Sequence, residues 1–202
     1  FFLCDDHRRM FLDILSGLPE RFGVLVHGYA LMPNHFHLVL ESVSGELPRA
    51  MRHLGGEYSR RLNVQYGWDG PVYRSRYRNR VVDSDAYLRH LLVYVHLNPV
   101  RAGLCDLDDA TWTSHRAYLG LAPRPDWLTT DLLLGLFEGP EALAATCQAV
   151  HEGRAQLPTE FDAERLWLPD TTGVLGGPCV SESPWRIADA LAEVAAVTGL
   201  PV

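Results

Sequence analysis

The segment that most constrains this chain runs from Phe22 to Leu40. Phe22 to Met32 reads as a strand, Met32-Pro33-Asn34 as a turn, and the apolar run ending at Leu40 as a second strand. Side chains alternate along a strand, so His35 and His37 point to one face while Phe36 and Leu38 point to the other. At that spacing the two histidine Cα atoms lie roughly 6–7 Å apart, and both imidazoles can converge on one divalent metal. Two half-exposed histidines on an amphipathic strand account for the same tripeptide, which alone does not separate the two readings.

A second motif, Tyr94-Val95-His96-Leu97-Asn98-Pro99-Val100-Arg101, closes a helical pattern that starts at Asp85. Ala86, Leu88, Leu91, Leu92, Val95 and Leu97 recur at helical spacing, Ser84 or Asp85 can cap the start, and Pro99 and Gly103 punctuate the end. Tyr94 and Asn98 are four apart and share one face. A tyrosine hydroxyl and an amide oxygen presented together can serve as nucleophile and third metal ligand. A buried tyrosine with a satisfied hydroxyl, and an asparagine closing a helix before proline, explain the same residues structurally. His90, one turn before Tyr94, can line the same cleft, whereas His96 points elsewhere and reads as structural.

The remaining pattern gives the order of elements. Asp5 to Leu18 reads as an amphipathic helix, with Met10, Phe11, Ile14 and Leu15 on its apolar stripe. Glu46 to Tyr66 reads as a helix weakened by Gly55-Gly56, and Val72 to Val82 as a strand. In that strand Arg74, Arg76, Arg78 and Arg80 share one face, with Tyr73 and Tyr77 on the other. The mixture defines an α/β (α+β) fold, an antiparallel sheet with helices packed on it, followed by a helical extension. Residues 1–125 form the main domain, 126–183 an acidic extension with short helices such as Glu141 to Glu152, and 184–202 a helix and turn beginning at Pro184.

Net charge is −7, which at first argues against a nucleic-acid partner, but it is unevenly spread. Residues 51–104 hold nine arginines against Glu57, Asp69, Asp83 and Asp85, whereas residues 105–202 hold five arginines against fifteen acids. A basic middle beside an acidic tail permits local phosphate binding that the whole-chain charge hides, and arginine forks suit phosphate geometry. A solvated strand face is the ordinary explanation of alternating arginines. No apolar run is long enough to span a membrane. Cys4, Cys105, Cys147 and Cys179 are widely scattered, without the paired spacing of a zinc or redox motif, and read as reduced thiols of a cytoplasmic protein.

Tyr29 through Glu41, reading YALMPNHFHLVLE, resembles the His-hydrophobic-His signature of the single-tyrosine HUH transposases, in particular the REP-associated tyrosine transposases of the IS200-like group. Tyr94 through Leu104, YVHLNPVRAGL, is similar to the same family's catalytic-tyrosine helix. Gly70 through Tyr77 and Trp112 through Tyr118 resemble the family's connecting segment and following tail. The resemblance implies a ferredoxin-like or RRM-like sheet with helices on one face. The family begins with a strand ahead of the first helix, and this chain starts at that helix, so the sheet is expected to be left with an unpaired edge. Pro184 to Leu191 resembles the opening of an appended helix-turn-helix whose recognition helix is absent.

What the resemblance implies chemically is a metal-dependent endonuclease and strand transferase acting on single-stranded or hairpin-forming DNA through a 5′-phosphotyrosine intermediate. It makes Tyr94 the nucleophile and His35, His37 and Asn98 the ligands of Mg2+ or Mn2+. Arg74, Arg76, Arg78 and Arg101 are the expected DNA contacts, and a monomer and a homodimer, with Tyr94 acting in cis or in trans, both stay open. Two competitors remain: a decayed or domesticated relative that binds DNA without cutting it, and a His-x-His metal hydrolase, for which no third carboxylate ligand is evident.

Overall fold

The structure is a computed structural model and describes residues 1–70, 72–73 and 77–158, together with the backbone of 191–197. In chain order the elements are α1 (Asp5–Ser16), α2 (Leu18–Phe22), β1 (Val24–Leu31), β2 (His35–Ser42), α3 (Leu47–Tyr66), β3 (Arg78–Val82), α4 (Asp85–Arg101), α5 (His115–Tyr118), α6 (Asp131–Leu136), α7 (Pro140–His151) and β4 (Leu191–Val197).

The hairpin forms where its composition places it. Met32 N–H donates to His35 O at 2.9 Å to close the turn, and β1 and β2 then pair antiparallel, with Ala30 opposite His37 and Leu31 opposite Phe36. The ladder carries a bulge at His27, whose ring nitrogens lie 3.0 Å from Thr129 O and 3.0 Å from Glu41 Oε2. Behind it, Gly28 lets α4 come close: a Cβ there would stand 3.3 Å from Leu92 Cδ1 and 3.5 Å from Val39 Cγ2. The outer edge of β1 is covered, not left open, because Leu31 N–H donates to Trp112 O, Thr129 N–H donates to Val26 O, and Ser114 Oγ accepts from Tyr29 N–H.

Alternation along β2 divides the core into two layers. Phe36, Leu38 and Leu40 join Phe11, Ile14 and Leu15 of α1 and Leu54, Tyr58 and Leu62 of α3. Val39, with Ala30, joins Leu88, Leu92 and Val95 of α4, and beyond them Leu133, Phe137 and Leu143 of α6 and α7. Helices therefore cover both faces of the sheet, a correction to the expectation of one covered face. The physical reason is α4: every residue from Leu91 to Pro99 is buried, and a helix apolar all round needs partners on two sides. α6 and α7 supply the second side, so the core continues past residue 125.

The sheet has the order β1-β2-β4-β3, and β4 runs parallel to both β2 and β3. Only β1–β2 is antiparallel, in place of the expected antiparallel sheet, and β4 fills the slot between β2 and β3, with β3 as the edge strand. Residues 191–197 are strand where a helix opening was expected; the rest of 184–202 lies outside the described residues. β3 is shorter than the expected 72–82, starting at Arg78. α3 runs unbroken through Gly55-Gly56, and Gly55 has a reason to be glycine, since a Cβ there would meet the Tyr73 ring at 3.3 Å. Among the described residues no helix is long and apolar enough to cross a membrane.

Candidate functional site

The turn and the first residues of β2 build the site's first half. His35 and His37 lie on one face of β2, buried to 4% and 3% exposure, with their Nε2 atoms 3.1 Å apart and their rings nearly perpendicular at 85°. Asn34 Oδ1 accepts from His35 Nδ1–H at 2.7 Å, which fixes the tautomer and leaves the Nε2 lone pair facing His37. Burial first, and the neighbouring His37 second, hold the His35 imidazole far below its ordinary value, at about 3, so it is neutral at physiological pH. A neutral imidazole is the form that ligates.

The second half comes from α4. Ser84 caps it by accepting from Tyr87 N–H at 3.3 Å, and the helix continues through Pro99 to Arg101 instead of stopping before the proline. Its packing on β1 and β2 puts the Tyr94 ring edge-on to His37, centroids 5.6 Å apart and planes at 88°. The two motifs, far apart in sequence, thus meet within one chain. Asn98 follows one turn later on the same helix face, buried, and its Nδ2 has no hydrogen-bond partner among the described residues.

The donor set suits a divalent ion. Two cis ligands at about 2.1–2.2 Å from one octahedral ion stand roughly 3.0 Å apart, close to the observed His35–His37 separation. The buried Asn98 side chain adds a third polar group on the Tyr94 face, its Nδ2 without a hydrogen-bond partner among the described residues. Two imidazoles and an amide oxygen leave further positions for phosphate oxygens or water.

Arginine placement is mixed. Arg78 is exposed on β3, and its register through residue 193 to His37 places it on the histidine face, two strands and so roughly 9–10 Å away across the backbone. Arg80 lies over the Tyr87 ring at 4.6 Å. Arg101 is exposed in the last turn of α4. Arg74 and Arg76 lie outside the described residues. His96 does face away from the histidine pair: its Nε2 meets Ser114 Oγ at 2.9 Å and its Nδ1 meets His115 Nδ1 at 3.3 Å. Two residues of consequence were passed over in the sequence, Asn34 and His115. Asn34 is visible in retrospect as the polar neighbour of a ligand histidine at a turn, whereas nothing in its spacing marks His115.

A covered mixed sheet thus carries a buried His-x-His pair that is met by a tyrosine from a packed helix. Residues 2–98, which contain His35, His37, Tyr94 and Asn98, match the family described as Transposase IS200 like. No curated protein and no solved structure matches the chain significantly.

Proposed function

We propose that the protein is a metal-dependent endonuclease and strand transferase on single-stranded, hairpin-forming DNA, with Tyr94 as nucleophile. The observation that carries this reading is the approach of the Tyr94 ring to His37, which joins a nucleophile to a pair of ligating imidazoles. Tyr94 Oη attacks a backbone phosphorus; the tyrosine O–P bond forms as the bond from phosphorus to the 3′-oxygen breaks. The 5′-phosphate stays on Tyr94, and the 3′-oxygen leaves as a hydroxyl after taking up a proton. Because the phosphodiester energy is kept in the tyrosyl ester, attack by another 3′-hydroxyl rejoins DNA without a nucleoside triphosphate.

His35, His37 and Asn98 are the residues that would hold Mg2+ or Mn2+. When bound, such an ion polarises the scissile phosphate and offsets the charge that develops on it. Asn34 orients His35, and burial keeps that ring unprotonated and available. The low exposure of Tyr94 and both histidines limits competition from water as the attacking group. Arg78 on the same face, and Arg101 at the end of α4, are placed to hold the strand's phosphates beside the site, as point contacts that position DNA without reading its sequence.

The test is incubation of wild-type protein with an internally labelled hairpin oligonucleotide and Mg2+ or Mn2+. Labelled DNA should become covalently attached, peptide mapping should place it on Tyr94, and Tyr94→Phe should abolish the adduct. An adduct on Tyr73 or Tyr77 overturns the assignment. Cleavage that survives Tyr94→Phe points to the water-activating hydrolase, and binding without any metal-dependent cleavage points to the non-catalytic relative.

A further inference from the structure

Behind the Tyr94 face, three residues that the nuclease chemistry does not use come together. His96 of α4, His115 of α5 and Cys147 of α7 are each at 0% exposure, and one ligating atom from each lies within 4.8 Å of the others. We propose that they form a second metal site, for a thiophilic divalent ion of the zinc class, which fastens α5 and α7 to the helix that carries Tyr94.

The geometry agrees with shared ligation. Two donors on one tetrahedral ion at about 2.0–2.1 Å stand roughly 3.3 Å apart, and His96 Nδ1 and His115 Nδ1 are separated by 3.3 Å. For a direct hydrogen bond the same distance is long. Ser114 Oγ accepts from Tyr29 N–H at 3.1 Å and stands 2.9 Å from His96 Nε2. In the tautomer whose Nε2–H donates to Ser114 Oγ, the lone pair of His96 is on Nδ1, facing His115. Left metal-free, these three side chains are a fully buried polar cluster within an otherwise apolar layer.

The protonation states also suit an ion. Burial, and for His96 the neighbouring His115, keep both rings neutral: His96 lies well below its ordinary range and His115 is pulled down to about 4. Burial pushes the Cys147 thiol up to about 12, so the free protein keeps it as SH. Metal entry therefore forms the sulfur–metal bond, breaks S–H and releases one proton to solvent. One thiolate and two neutral imidazoles leave one positive charge and a fourth position for water. Sulfur in the set distinguishes this site from the histidine pair on β2 and selects zinc or cobalt over magnesium.

The experiment uses the full chain, reduced and stripped of metal, titrated with Co2+. The expected result is one equivalent of cobalt giving a near-ultraviolet thiolate-to-cobalt band, displaced by one equivalent of Zn2+ with release of a proton. Cys147→Ser should lose the band, whereas Cys105→Ser and the double variant His35→Ala/His37→Ala should keep it. The double variant separates this site from the nuclease site, so the two proposals fail independently. If folded wild-type protein, checked by circular dichroism, gives no such band, or if the band survives Cys147→Ser, the site does not exist; neither outcome depends on the variants' stability.

Discussion

The two faces of β2 differ more sharply than any other pair of surfaces in the molecule. On one face Phe36, Leu38 and Leu40 pack under α1 and α3, with the Phe11 and Phe36 rings 4.6 Å apart. The buried histidine within that layer, His7, is satisfied on both ring nitrogens, by Leu3 N–H at 3.3 Å and Tyr66 Oη at 2.7 Å. The opposite face buries His35, His37, His96, Asn98, Ser114 and His115, and two of their atoms, Asn98 Nδ2 and His115 Nε2, have no partner among the described residues. Burying polar groups without partners costs free energy that apolar side chains of similar size would not. The first face has unmatched buried atoms too, Arg8 Nε and Tyr73 Oη, so the two faces differ in kind: aromatic and aliphatic packing on one, a cluster of imidazoles and an amide on the other.

Adjacent residues of one strand give the strongest way to break that comparison. Phe36→Ala should remove a fully buried ring and cost about 3–5 kcal/mol, read from the midpoint of urea unfolding at constant m-value. His37→Ala, one residue on, should cost less than about 2 kcal/mol, yet abolish metal-dependent formation of the DNA adduct. Equal destabilisation by the two changes, or full adduct formation by His37→Ala, would mean that the faces do not divide structural from chemical work.

A second effect is a pH dependence that belongs mainly to the histidine face, although burial also lowers His7 on the aromatic side. His35 is held at about 3, His115 at about 4 and His96 well below its ordinary range, chiefly by burial, whereas the unfolded chain protonates each near 6.5. Below 6.5 the unfolded state therefore binds more protons than the folded one. The stabilisation is complete above 6.5 and declines as pH falls toward 4, by up to about 1.4 kcal/mol per pH unit for each histidine. The groups facing His115 are His96, Arg116 and Asp108, and only Asp108 opposes the trend. Glu57, held at about 2 by Arg60 and Arg61, loses its contribution only below about 4.5, so the interval from pH 6.5 to 5 isolates the histidines. Urea midpoints of chelator-treated protein should fall across that interval; a flat profile would show that these rings are hydrated.

Local periodicity made half of this legible. Alternation in His35-Phe36-His37-Leu38 is a property of one strand, and the Tyr94–Asn98 spacing is a property of one helix, so both faces were assigned correctly before their partners were known. What was not legible is non-local. The second covered face depends on α6 and α7 docking against α4, and neither helix signals its target in its own composition. The central position of β4 depends on parallel pairing with strands more than a hundred residues away, which no turn signal announces. His115 and Cys147 have no motif spacing to His96, so only the fold brings them together. β3 was overextended because alternating arginines and tyrosines imitate a strand over a longer stretch than the one that pairs.

The smallest expected effect sharpens how DNA reaches the polar face. Arg78 and Arg80 share parity on β3, and the buried Val82 on the same parity joins the core layer of α4, so both arginines belong to the histidine side of the sheet. They differ in what they do there. Arg80 lies 4.6 Å over the Tyr87 ring and packs along the start of α4, while Arg78 stands at the register of His37. Each phosphate neutralised by arginine releases condensed counterions from single-stranded DNA, giving a slope of about −0.7 per contact in a plot of log affinity against log salt. Arg78→Ala should therefore make that slope shallower by about 0.7, weaken binding of unrelated oligonucleotides alike and leave the unfolding midpoint unchanged. Arg101→Ala should behave in the same way, and Arg80→Ala should instead show a small loss of stability, about 0.5–1 kcal/mol for an exposed cation over a ring. An unaltered salt slope for Arg78→Ala would make β3 an ordinary solvated edge and leave the strand's path to Tyr94 to be found on the α4 side.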